Sequence, residues 1–482
     1  MTHFPTNIAK INLGKSSGIY FVGRLVPALL GFLTIPVFTK SLGVLGYGTF
    51  SLLMGVVSLL SILSTGWLES TFVRFVQGSD SKSKANLKSY LFLLLCSLTI
   101  SVFIILISLK IFSGSLSYEF QRYSYATILA FIAISLFRPM MNYYRIFELP
   151  LKYTAGMISF SVLRFLLASV LLVFISATPD MIFYAYFIMG LIVAAFPFTA
   201  ALSLIKKVLL NGSLIRPMVR FGLPYLPMLT ATWVFSIFNR FAIDRVMGRE
   251  SVGIYSAAFN LTDQSIGFLY LAIMMAIFPR LVRVFETGDL KSTKHVLEHG
   301  LSLYSIIILP AIVGFAILGK EILPLLSSQA FSPAAHLIPF LAINTGIVGL
   351  NQYISKPYEL QKKTYRLMLI FIFGAVVNIL VVFPLVKLFG LKGAVASNTI
   401  SLSIICILLF FLSRKLLHFK IPITIVLKVS VAVVIMIISL WVFQQWIPAG
   451  LWGIVIKLFV GLTSYSIVGI WLGLHNIIFR RV

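Results

Sequence analysis

The sequence predicts an all-α polytopic membrane protein of about fourteen transmembrane helices, built as two pseudo-symmetric six-helix bundles plus two extra C-terminal helices. Three observations carry this. Of the 482 residues 59% are hydrophobic and 11% charged, where a soluble chain has about a quarter of its residues charged. Apolar stretches of span length recur from end to end, separated by short basic segments. Those segments alternate between strongly and weakly basic, as loops on opposite sides of a membrane do.

At roughly twenty apolar residues per span, the first six helices fall near 16–39, 48–70, 90–112, 123–144, 154–176 and 182–204. The next six fall near 222–243, 252–278, 297–319, 335–356, 366–386 and 392–413, and the last two near 423–445 and 452–474. The first fifteen residues are polar and the first apolar stretch is long enough to span, so no cleavable leader is expected. With the N-terminus in the cytoplasm, the loops on that side carry 25 of the 39 Lys and Arg residues, from Lys10 and Lys15 to Arg480 and Arg481. The opposite side receives 8, Arg245 and Arg249 among them, and 6 lie within spans. That bias puts both termini in the cytoplasm and requires an even number of spans. It also accounts for the net charge of +26 without a nucleic-acid partner. Cys96 and Cys406 lie in apolar segments and read as buried thiols, with no disulfide framework and no metal site.

The chain repeats itself. Gly43-x4-Gly48-x-Phe50-Ser51 matches Gly248-x4-Gly253-x-Tyr255-Ser256 at an offset of 205, and Phe72-x-Arg74-x-Val76 matches Phe278-x-Arg280-x-Val282 at 206. Arg145-x-Phe147-Glu148-Leu149 matches Lys356-x-Tyr358-Glu359-Leu360 at 211. An even number of helices per repeat gives both copies one orientation, so two lobes are expected about an axis along the membrane normal. Their expected bounds are 1–210 and 211–415, with an added helix pair over 416–482.

No segment is long and polar enough for a soluble catalytic domain, and Gly43-Val44-Leu45-Gly46-Tyr47-Gly48 lacks the Lys of a nucleotide-binding loop. That glycine run reads as a tight turn between helices 1 and 2, and an enzyme is not expected. The sequons at Asn211 and Asn260 fall in a cytoplasmic loop and a span, so neither signals a glycan. The informative residues are charges inside spans, each costing a few kcal/mol or more unless it meets a partner or a wet cavity. Arg24, Arg138 and Arg164 lie roughly 9–15 Å from the cytoplasmic ends of helices 1, 4 and 5, with no acidic residue of that lobe at the same depth. Unpaired guanidiniums at one level suit an anion, phosphate above all, because the planar fork binds two oxygens at once. Each can also be read as a packing residue bonded to a neighbouring helix.

In the second lobe Arg240 is a fourth candidate for substrate binding in the cavity. Asp244 stands four residues on, a spacing that also fits an intrahelical ion pair or a gate, with Arg245 beside them. Asp263 near the middle of helix 8 and Glu69 near the inner end of helix 2 are the candidate coupling carboxylates. Arg74, Arg145 and Arg280 read as topology charges. Lys428 and Lys457 are expected to snorkel to the nearer interface. Pro27 and Pro36 in helix 1, and Pro224 and Pro227 in helix 7, are expected to interrupt equivalent helices.

The chain resembles the polysaccharide-transporter branch of the multidrug/oligosaccharidyl-lipid/polysaccharide exporter superfamily, the Wzx-type O-antigen flippases. The likeness rests on Leu42-Gly43-x3-Tyr47-Gly48, Arg24, Gly66-Trp67-Leu68-Glu69-x4-Arg74, Phe221-Gly222-Leu223-Pro224, Asp244-Arg245 and Val252-Gly253-Ile254-Tyr255-Ser256. The resemblance implies alternating access between two bundles in a bacterial inner membrane. It implies transfer of an undecaprenyl-pyrophosphate-linked oligosaccharide, for lipopolysaccharide or capsule, to the periplasmic leaflet. It further implies that helices 13 and 14 hold the lipid tail. Lipid-linked oligosaccharide, membrane lipid and other polysaccharide-assembly membrane proteins are the implied partners, and no cofactor is. A lipid II flippase and a cation-coupled drug antiporter of the same superfamily are the alternatives; the arginine excess speaks against the latter.

Overall fold

The structure, a computed structural model, describes residues 13–76, 81–111, 118–206, 209–210 and 212–478. Lys10, Lys207, Arg480 and Arg481 among the topology charges lie outside the described residues, as does Asn211 of the first sequon. Thirteen helical segments among those described are long and apolar enough to cross a membrane. The first, Val22–Phe72, has 51 residues, about 77 Å of helix against a hydrocarbon core of about 30 Å. It breaks at Gly43, where φ is 65° and ψ −175°. A side chain rarely adopts that backbone, so a glycine ends α1 and lets α2 begin. Counted this way, the segments make fourteen crossings, the number the sequence predicts.

The others are α3 (Ser83–Ile111), α4 (Tyr118–Ile146), α5 (Pro150–Phe174), α6 (Pro179–Ile205) and α7 (Gly212–Met247). Then follow α8 (Arg249–Glu286), α9 (Leu290–Leu326), α10 (Gln329–Leu360), α11 (Thr364–Phe389) and α12 (Leu391–Arg414). The last two are α13 (Ile423–Trp446) and α14 (Leu451–Trp471). Several outrun the apolar stretch that announced them. In α9 the Asp289 carboxylate accepts from the Ser292 N–H at 2.9 Å, a cap that starts the helix in polar sequence before its apolar part. Pro27 and Pro36 do not interrupt α1, whereas α7 has a 3₁₀ turn at Leu223–Tyr225 and a π turn at Val234–Phe238. The expected interruption is therefore present in α7 and absent at the α1 prolines.

The chain packs as two compact units. Unit 1 comprises Met1–Gly31 and Val57–Leu226, and unit 2 comprises Phe32–Val56 and Pro227–Val482. Unit 2 thus includes the end of α1, the Gly43 turn and the start of α2.

Unit 1 is held by aromatic packing. Phe72 of α2 stacks on Tyr90 of α3 at 4.2 Å, and Phe137 of α4 on Phe160 of α5 at 4.0 Å. These rings lie in a buried cluster with Trp67, Met140 and Val193. Unit 2 is held by asparagines. Asn398 of α12 donates to the Phe235 carbonyl of α7 at 2.9 Å and accepts from Asn378 of α11 at 3.0 Å. Asn239 of α7 donates to the Ala394 carbonyl of α12 at 2.7 Å. Asn344 and Asn351 of α10 donate to the Val395 and Leu402 carbonyls of α12, each at 3.1 Å. Lipid is as apolar as these helices, so interhelical polar bonds and close packing supply the association that the hydrophobic effect supplies in water.

The α13–α14 pair packs on α9 through Ile306, Val433, Met436 and Leu440, and Tyr465 donates to the Ile306 carbonyl at 2.7 Å. Lys428 and Lys457 find protein partners: Lys428 donates to the Leu472 carbonyl at 2.8 Å and Lys457 pairs with Glu321.

Candidate functional site

In unit 1 the sequence places cations inside apolar helices, and the structure leaves most of them open. Gly23 of α1 is buried against Thr154 of α5, whose hydroxyl donates to the Ile19 carbonyl at 2.9 Å. That contact fixes α1 on α5 and leaves the next residue, Arg24, exposed. Arg138 and Arg145, seven residues apart and so on one face of α4, are also exposed. Arg164 is half-buried, its guanidinium 4.4 Å from the Tyr186 ring and 5.2 Å from that of Phe160. Since Phe160 stacks on Phe137, Arg164 is one ring away from the residue preceding Arg138. Arg74 lies over Phe221 at 4.1 Å. A ring face attracts a guanidinium without neutralising its charge.

One carboxylate enters this field. Glu69 of α2 interacts electrostatically with Arg138 and Arg145, without a direct ion pair among the described residues. No acid of this lobe lies at the depth of Arg138 when depth is counted along each helix separately. In sequence Arg145 reads as a topology charge. Its repeat equivalent Lys356 has a different fate: it is buried, paired with Glu359 at 2.8 Å and 4.6 Å from the centre of the Phe278 ring. One repeat uses the position for packing and the other leaves it open.

In unit 2 the two repeated turns meet. Gly248 has φ 83° and ψ 173°, close to the values at its equivalent Gly43. A Cβ on Gly48 would overlap the Arg249 carbonyl oxygen, and one on Gly253 the carbonyl oxygen of Val44, the counterpart of Arg249. Beyond them Ser51 and Ser256, also equivalent, share a buried hydrogen bond of 2.8 Å. Within unit 2, equivalent residues of the two repeated turns thus touch each other.

Arg240 completes the clasp. It is 5% exposed, donating to Ser51 Oγ at 2.6 Å and to Asn260 Oδ1 at 2.9 Å, while Asn260 donates to the Tyr47 hydroxyl at 2.9 Å. The Phe259 ring lies 5.2 Å from its guanidinium, and Asp263, at the start of a π turn, interacts with it electrostatically. Arg240 does not pair with Asp244. That carboxylate reaches Arg249 at 3.5 Å, and Arg245 is exposed. The reason is that the Arg240 guanidinium is taken up by Ser51 of α2 and Asn260 of α8.

A family model described as a polysaccharide biosynthesis protein matches residues 13–285, more than half of the chain. The chain belongs to that family. A second model, MatE, matches residues 225–383. A probable flippase, AglR of Haloferax volcanii, is 22% identical over 473 residues, covering 95% of each chain. Among solved structures, a lipid II flippase MurJ in an inward closed conformation aligns with a TM-score of 0.75 at 15% identity. It covers 94% of this chain and 98% of its own. An inward-facing multidrug resistance MATE transporter of the MOP superfamily aligns with a TM-score of 0.67 at 14% identity, over 82% of this chain and 98% of its own. The resemblance read from the sequence, to the polysaccharide-transporter branch of that superfamily, is borne out.

For this polysaccharide biosynthesis protein the candidate site residues fall into two sets. Arg24, Arg138 and Arg164, with Glu69, belong to unit 1, and Arg240, Asp244, Arg245 and Asp263 to unit 2. Sequence reasoning missed Tyr47, Ser51, Asn260 and Arg145. Ser51 had a signal, its place in the repeated motif. Asn260 had only a sequon to mark it.

Proposed function

We propose that the protein is a flippase carrying an undecaprenyl-pyrophosphate-linked oligosaccharide, an O-antigen or capsule repeat unit, from the cytoplasmic to the periplasmic leaflet by alternating access. The carrying observation is the set of arginines in unit 1, Arg24, Arg138 and Arg145, exposed on membrane helices without a direct ion pair among the described residues. A diphosphate loses hydration worth tens of kcal/mol in the Born limit when it enters hydrocarbon. A row of guanidiniums replaces that hydration, and Arg164, set on two rings, adds a planar fork. The repeats over 1–210 and 211–415 are the two moving lobes, and 416–482 is the pair that attends the lipid tail. Both termini lie in the cytoplasm of a bacterial inner membrane, as loop charge argues, and other membrane proteins of polysaccharide assembly are the partners. The clasp of Ser51, Ser256, Arg240 and Asn260 is the gate on the side away from the termini. Glu69 and Asp263 are the carboxylates for ion coupling. A drug antiporter for cations would set carboxylates in the cavity, and the arginines argue against it. A lipid II flippase shares the phosphate chemistry and is the second reading, favoured by the likeness to MurJ.

Proteoliposomes carrying undecaprenyl-pyrophosphate oligosaccharide test this, with access of the glycan to an external enzyme as readout. Wild type is expected to expose the glycan, and Arg24→Ala and Arg164→Ala to fail. Transfer unchanged in both variants would make these arginines packing residues. No transfer by folded wild type under any imposed gradient would remove the flippase reading.

A further inference from the structure

Unit 2 contains a second polar feature at membrane depth, remote in sequence from the clasp. A cavity of about 700 Å³ opens where the end of α9 meets the α13–α14 turn, on the face opposite the C-terminus. Its size is that of a site for a small organic molecule. Two opposite charges line it, Glu321 of α9 and Lys457 of α14, which pair with each other. The Lys457 side chain is 11% exposed and that of Glu321 38%. The carboxamides of Gln329 and Gln444 and the apolar chains of Leu325 and Ile454 share the wall.

The depth follows from neighbouring residues. Trp446 and Trp452 flank the α13–α14 turn and are 67% and 72% exposed, the position and exposure of an interfacial aromatic belt. Lys457 lies six residues into α14, about 9 Å below its start, at the boundary of head groups and acyl chains. A cavity at that level, open on one side and walled by both charge and hydrocarbon, faces lipid.

We infer that this cavity binds the head group of an amine-bearing phospholipid in the leaflet opposite the C-terminus. The charge pattern selects that class. A phosphate diester set against Lys457 and a primary ammonium against Glu321 replace one internal ion pair with two across the interface, and no charge is left without a partner. The two carboxamides reach the ester and phosphate oxygens, and Leu325 and Ile454 receive the first methylenes. A choline head has no N–H to give Glu321. A glycerol head brings no cation at all and strands the carboxylate beside the phosphate. The site is independent of the transported substrate.

The test is native mass spectrometry of the full chain released from nanodiscs of equal phosphatidylethanolamine, phosphatidylcholine and phosphatidylglycerol. Wild type is expected to retain phosphatidylethanolamine over phosphatidylcholine by about threefold or more. Glu321→Gln should abolish that preference, and Lys457→Met should lower retention of all three. The wild-type preference needs no variant to fold. Equal retention of the ethanolamine and choline lipids would overturn the inference. So would a preference that survives Glu321→Gln, or stronger retention of phosphatidylglycerol or an added polyprenyl phosphate.

Discussion

Glu69 shows how much one residue's role depends on which helices face each other. It interacts with Arg138 and Arg145 across α2 and α4, so a phosphate bound there as proposed would compete with a carboxylate for both. Removing that carboxylate should favour the anion. Glu69→Gln is expected to tighten binding of inorganic pyrophosphate by about two- to fivefold, the scale of a partly exposed ion pair. Isothermal titration checks it, and an unchanged affinity would mean that pyrophosphate does not use Arg138 and Arg145. The arginines themselves were legible, because an ion in an apolar run stands out in any sequence. Their neighbours were not. Glu69 and Arg138 are far apart in the chain, and no periodicity tells which face of α4 meets α2. The partner of Arg240 was hidden for the same reason: Ser51 is 189 residues away, while Asp244, the expected ion-pair partner, is one turn away.

At the scale of elements, span positions were readable from apolar length, and the Gly43 break from its glycines. The polar ties between spans were not, since a single Asn in a long apolar stretch carries no pattern. They nevertheless hold unit 2. Asn398→Leu removes a bond to Phe235 and one from Asn378. At about 0.6 to 1.7 kcal/mol each, the loss is about 1–3 kcal/mol, and the thermal midpoint in detergent should fall. An unchanged midpoint would make the α12 asparagines passengers of close packing. The start of α9 adds a pH dependence. Bonds from Ser292 hold the Asp289 carboxyl below the usual carboxylate range. A depressed folded value means that the cap stabilises fully above the unfolded pKa, near 4, and is lost as pH falls through the lower folded value. Amide exchange at Leu290–Thr293 should therefore be faster in Asp289→Ala than in wild type near neutrality, and the two should converge in acid. A gap that persists in acid would assign the protection to something other than the carboxylate.

For the whole molecule the repeat was legible in three motif pairs, and its consequence was not: that the two Gly-x4-Gly turns bind each other. Phe32–Val56 belongs to unit 2, and Gly48 and Gly253 let its turn approach the repeated one closely. An alanine at either would press on a carbonyl oxygen of the opposite turn, and backbone cannot yield as a flexible side chain can. If the clasp is the proposed gate, alternating access parts it once in each cycle, and locking it should stop transport without unfolding the protein. The Ser51 and Ser256 hydroxyls are already 2.8 Å apart, so the paired side chains are near the geometry a disulfide needs. With Cys96 and Cys406 replaced by serine, Ser51→Cys/Ser256→Cys is expected to cross-link under mild oxidant and lose glycan transfer, and to regain it on reduction. Transfer that continues in the cross-linked protein would show that the clasp is a permanent joint, and the gate would then have to be sought where the α7 and α8 π turns let those helices bend.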